Sequence, residues 1–168
     1  MGGGHDYLLP MEKGGKRKDG RDIEQEWLKL DGKRSLLRTA DELANHKVEK
    51  DEHVMGIFAK SYFDYHLNQT TNGRKTNPRL VEMATKAVEV LQASSNPKGF
   101  FLMIEGGNID MAEHSNLMNL AVEELNEFSK TIQAVNEMVG DDTLLLVTAD
   151  HAHALTLPGY TPSNQSIM

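Results

Sequence analysis

Residues 99–114 read "GFFLMIEGGNIDMAEH". A continuous apolar run at 100–104 follows the breaker "NPKG". It has the length and composition of a strand buried on both faces of a parallel sheet. Gly106 and Gly107 then let the chain leave the strand tightly, and Glu105, Asp110 and His114 follow within ten positions. These are metal-type ligands at the mouth of a predicted strand.

Further along, "DDTLLLVTADHAHA" repeats the arrangement: a turn, an apolar strand over 143–148, and a polar cluster of Asp150, His151 and His153 just past it. Between the two strands, "HSNLMNLAVEELNEFSKTIQAVNEMVG" predicts one long helix closing at Gly140. Strand, helix and strand in that order make a right-handed crossover in a parallel sheet. Both ligand clusters therefore leave at the same sheet edge, where open α/β sheets bind ligands.

Upstream, Ile23, Trp27, Leu28 and Leu30 predict a short amphipathic helix within 21–31. Thr39 followed by Glu42 is a capping box that opens another. "HVMGIFA", 53–59, reads as a buried strand. Leu80, Met83, Ala84, Ala87, Val88 and Leu91 then mark a helix from Pro78, with the proline in its first turn. "GGKRKDGRD" reads as a solvated loop. No repeat or linker divides the chain, so the 168 residues form one piece.

Composition narrows the chemistry. Eighteen basic and twenty-five acidic residues give a net charge of −7, which leaves no electrostatic footprint for nucleic acid or anionic membrane. The absence of cysteine excludes disulfides and Cys-based zinc sites, so metal ligands must be His, Asp and Glu. No apolar run approaches the ~20 residues of a membrane span. The start "MGGGHDYLLP" lacks the order of a secretory signal, which leaves either a cytosolic chain or a true start further upstream.

Asp110 and His114, four apart, share a face if Asp110 opens a helical turn. Such a pair is common by chance; Asp110 could equally cap the helix, and His153 could be a core histidine satisfied by a carbonyl. The convergence of two clusters at one edge favours a metal centre. Carboxylate and imidazole ligands suit zinc with an open position, and a carboxylate with waters suits magnesium. Two nearby divalent ions are apparatus for displacement at phosphorus.

"NPKGFFLMIEGGNIDMAEH" together with "DDTLLLVTADHAHALTLPGYTP" resembles the alkaline phosphatase family, and the likeness extends back through "GIFA", Trp27 and "MGGG". The resemblance implies an α/β/α sandwich around a mostly parallel sheet and hydrolysis of small phosphate monoesters through a phosphoserine intermediate. It implies Glu105 as a magnesium ligand, Asp110 and His114 as ligands of a first zinc, and Asp150 and His151 as ligands of a second. His153 matches the histidine that hydrogen-bonds the Asp110 equivalent and orients it.

The family's "Asp-Ser-Ala/Gly" nucleophile segment does not occur in these residues. The Asp that bridges magnesium and the second zinc, a phosphate-clamping Arg and a further zinc His also have no match. The resemblance thus implies a piece from the middle to late part of a longer, extracytoplasmic and homodimeric enzyme, cut at both ends and inactive alone. Its own localisation is undetermined.

Met111 stands where relatives carry His or Lys near the phosphate. Ala59 and Asn77 replace the Glu and Asp of a calcium site, so none is expected. Asn68 and Asn164 lie in glycosylation sequons. Two rivals remain. One is another metal-dependent member of the same broad superfamily, such as a phosphomutase or a sulfatase. The other is a non-catalytic metal-binding or partner-binding protein that keeps part of the site.

Overall fold

The computed structural model describes residues 1–71, 77–154, 159 and 162–164. Its elements are α1 (His5–Leu8), a 3-10 turn (Met11–Lys13), α2 (Ile23–Leu28), β1 (Arg34–Leu37), α3 (Ala40–Asn45), β2 (His53–Gly56), α4 (His66–Thr71), α5 (Leu80–Gln92), α6 (Gly107–His114) and α7 (Met118–Met138). The chain is mixed α/β with a small parallel sheet. No helix among the described residues is long and apolar enough to cross a membrane.

β1 and β2 pair in parallel, Arg34 opposite His53 through Leu37 opposite Gly56, with α3 in the crossover. The capping box at α3 forms as its sequence requires: Thr39 Oγ1 accepts the Glu42 N–H at 3.1 Å and Glu42 Oε2 accepts the Thr39 N–H at 3.3 Å. α2 starts at Asp22, whose side chain accepts the Gln25 N–H. "MGGG" extends the sheet locally, because Gly2 donates to Gly56 O at 2.8 Å and accepts from Phe58 N–H at 2.9 Å. Gly3 is obligatory there: a Cβ would sit 2.0 Å from Ser61 O.

Three apolar clusters hold the elements. Leu37, Leu43, Phe58 and Met83 join the sheet to α3 and α5. Ala84, Val88 and Val135 join α5 to α7, with Leu102 and Ile104 packed against them. Ala112, Leu120 and Ala121 join α6 to α7, with Tyr65 and Leu67 alongside.

Four expectations change. First, neither 100–104 nor 143–148 forms a strand: among the described residues no backbone ladder reaches them. Phe101 is 89% exposed, Leu144 81% and Leu146 79%, so only alternate residues of the first run touch the core. An apolar run becomes a strand only where a neighbour accepts its hydrogen bonds, and here none is alongside. The expected crossover sheet between them is therefore absent among the described residues.

Second, the long helix predicted over 114–140 is α7, Met118–Met138, and it opens four residues late because His114 closes the separate helix α6. α6 ends after His114 in a Schellman closure: Leu117 N–H donates to Ala112 O at 2.9 Å and Asn116 N–H to Glu113 O at 3.0 Å. Asn116 takes φ 52°, the left-handed turn that asparagine tolerates. Third, α5 begins at Leu80 after the N-cap Arg79, so Pro78 lies just before the helix rather than in its first turn. Fourth, β1 is a strand where the sequence reading placed none. Its four residues "RSLL" are too short for a periodic signal.

The loop reading of "GGKRKDGRD" agrees with the absence of helix or strand over 14–22. Asn68 and Asn164 are both exposed, and Ser166 of the second sequon lies outside the described residues.

Candidate metal centre

α6 is short, and its closure fixes what it displays. Asp110 stands in its first turn and His114 in its last, one helical repeat apart, with His114 Nε2 3.4 Å from Asp110 Oδ2. The second cluster arrives on irregular chain that bends at Asp150 and His151, and His151 and His153 both approach α6. His153 Nε2 lies 3.7 Å and His151 Nε2 3.8 Å from Asp110 Oδ1. The rings of His114 and His153 meet edge to face, with centroids 4.4 Å apart.

One donor atom from each of Asp110, His114 and His153 lies within 4.8 Å of the others. Zinc bonds of ~2.0–2.1 Å impose ligand separations of about 3.3 Å around a tetrahedral ion. The 3.4 Å and 3.7 Å separations therefore approach the spacing that such an ion requires. Asp110 Oδ1 and His153 Nδ1 are buried and accept or donate no hydrogen bond among the described residues. Buried polar atoms left unpaired are costly, and a bound cation would satisfy the carboxylate oxygen. The donor set fits a divalent metal.

Asp150 is exposed and lies against His151, 3.2 Å from its Nε2. The hydrogen bond to the Ala152 carbonyl holds the His151 ring above the ordinary imidazole value, and the negative charges of Asp150 and Asp110 add to this. Glu105 is exposed, and its Oε1 lies 3.4 Å from where a side chain on Gly107 would begin. The fold thus brings Asp110, His114, His151 and His153 together, and Glu105 is not one of the clustered donors. His153, which the sequence reading places behind Asp110 as the residue that orients it, lies in the donor cluster with Asp110 and His114.

The sequence model of the alkaline phosphatase family matches residues 1–168. The chain belongs to the alkaline phosphatase family. It is 36% identical to the tissue-nonspecific alkaline phosphatase isozyme of Homo sapiens over 182 residues, covering 99% of this chain and 34% of that protein. It is likewise 36% identical to alkaline phosphatase 4 of Drosophila melanogaster over 157 residues, covering 90% of this chain and 26% of that one. The crystal structure of Thermus thermophilus alkaline phosphatase superposes with a TM-score of 0.65 at 26% identity, covering 82% of this chain and 27% of that one. The chain thus spans about a quarter to a third of the length of these alkaline phosphatases.

Proposed function

We propose that this chain is part of a single alkaline phosphatase domain and supplies metal-holding residues for the hydrolysis of small phosphate monoesters. The observation that carries the reading is the convergence of Asp110, His114 and His153, with Asp110 Oδ1 buried and without a hydrogen bond among the described residues. In this reading Asp110 and His114 hold one zinc ion, Asp150 and His151 a second, and Glu105 a magnesium ion. Bound there, divalent ions would supply charge neutralisation at phosphorus and an activated oxygen nucleophile.

The chain's own residues do the orienting. His153, with Nε2 facing Asp110 Oδ1, holds that carboxylate toward the cluster, and the α6 spacing keeps His114 on the same face. The serine that would attack phosphorus and then be freed of its phosphate by water has no match among these residues, for no Asp-Ser pair occurs in the sequence. The phosphoserine route and the homodimeric state of the whole enzyme are therefore part of the proposal.

The test is zinc binding by the purified chain, measured by competition with a chromogenic chelator, alongside turnover of p-nitrophenyl phosphate at alkaline pH. Zinc should bind. Asp110→Ala and His114→Ala should each weaken binding at least tenfold, and no ester turnover should be detected. Zinc affinity unchanged in both variants would remove the metal reading. Turnover by the chain alone would show that its nucleophile had been misplaced.

A further inference from the structure

α6 carries two of the clustered donors and packs on α7 through Ala112. Ala112 is its one fully buried residue, and its N-cap Gly106 offers no side-chain hydrogen bond. The azimuth of the helix matters. Asp110 and His114 travel together on α6, whereas His151 and His153 sit on a separate segment. With side-chain atoms some 5–6 Å from a helix axis, a rotation of about 20° moves the Asp110 carboxylate about 2 Å. Metal sites tolerate about ±0.2 Å.

A polar tether fixes that azimuth. Asn108 lies in the first turn of α6, two residues before Asp110, and its Nδ2 is 3.4 Å from Glu124 Oε1 on α7 and 3.5 Å from Asp64 O. The same Glu124 oxygen accepts the His66 N–H at 2.6 Å, so one carboxylate joins α4, α6 and α7. The neighbouring charges are engaged elsewhere. Arg79 forks onto Glu127, and the His66 ring lies 3.1 Å from Glu123 and 3.7 Å from Glu127. Burial raises the Glu124 carboxyl above the ordinary glutamate value. A carboxylate held there with no arginine or lysine partner among the described residues is a costly way to gain stability alone.

We propose that Glu124 is a positioning residue for the metal donors, acting through Asn108 to set the orientation of α6. The proposal rests on the metal reading above. Zinc affinity and the visible spectrum of bound cobalt(II) should be measured for the wild-type chain, Glu124→Ala, Glu124→Gln and Asn108→Ala, with thermal unfolding of each metal-free protein.

Loss of the tether should weaken zinc about tenfold or more, the range seen for residues that orient ligands. It should also alter the cobalt bands in both alanine variants. Glu124→Gln keeps a carbonyl acceptor and should stay within about threefold of wild type. Lowered unfolding temperatures with unchanged zinc affinity and cobalt spectrum would reduce Glu124 to a structural role and overturn the proposal. Failure of the wild-type chain to bind zinc would instead remove the metal reading, and this inference with it. If Glu124→Ala does not fold, Asn108→Ala decides, since it leaves α7 intact.

Discussion

Glu52 shows how much a single residue can do away from the metal donors. It is buried behind β1, where its carboxylate accepts hydrogen bonds from Ser35 Oγ and, at 3.1 Å each, from the Glu49 N–H and His46 Nε2. Burial pushes its carboxyl up, but those bonds outweigh it and hold the group below the ordinary glutamate value of 4.5. A lowered folded-state value gives stability that is complete above the unfolded value and is lost as pH falls through the folded one. The stability gap between wild type and Glu52→Gln in urea should therefore be constant at neutral pH and shrink below about pH 4.5. A gap independent of pH down to 3.5 would contradict this. Asp110 and His114 were legible at the same scale, because spacing along one helix is a sequence property. The partnership of Asp110 with His151 and His153 crosses some forty positions and needed the fold.

Among the elements, local chemistry predicts some boundaries and not others. The Thr39 and Glu42 capping box was readable because both partners lie within one turn. Thr39→Ala should cost about 1 kcal/mol in equilibrium unfolding. The late start of α7 was not legible in its apolar spacing, although "SNL" holds the signal: an asparagine placed for the left-handed turn that separates α6 from α7. Asn116→Gly should leave stability nearly unchanged. Asn116→Val, which brings a β-branched side chain to φ 52°, should lower the unfolding temperature clearly. Equal unfolding temperatures for the two variants would argue against the Schellman closure.

For the whole molecule, the two apolar runs dominate. Phe101, Met103, Leu144 and Leu146 are each more than three-quarters exposed, on chain whose backbone makes no ladder among the described residues. Contiguous exposed apolar chain of this kind promotes association. The purified chain should bind a hydrophobic dye such as ANS and self-associate with rising concentration. Leu144→Lys with Leu146→Lys should reduce both effects while leaving the unfolding temperature nearly unchanged, since these side chains give up no burial. A large loss of thermal stability in the double variant would show that they are packed after all.

By itself, the sequence determined what depends on near neighbours: the α3 capping box, the apolar face of α5, the ligand types and the family. It also placed candidate donors at the ends of two apolar runs. Only the tertiary structure decided that "RSLL" pairs with "HVMG", that a left-handed turn at Asn116 delays the start of the long helix, and that His153 joins Asp110 and His114. It also decided that 100–104 and 143–148 pair with no strand among the described residues. The reason is physical. Hydrogen-bond partners within a turn are fixed by spacing, whereas a strand or a metal donor set exists only when distant chain arrives beside it.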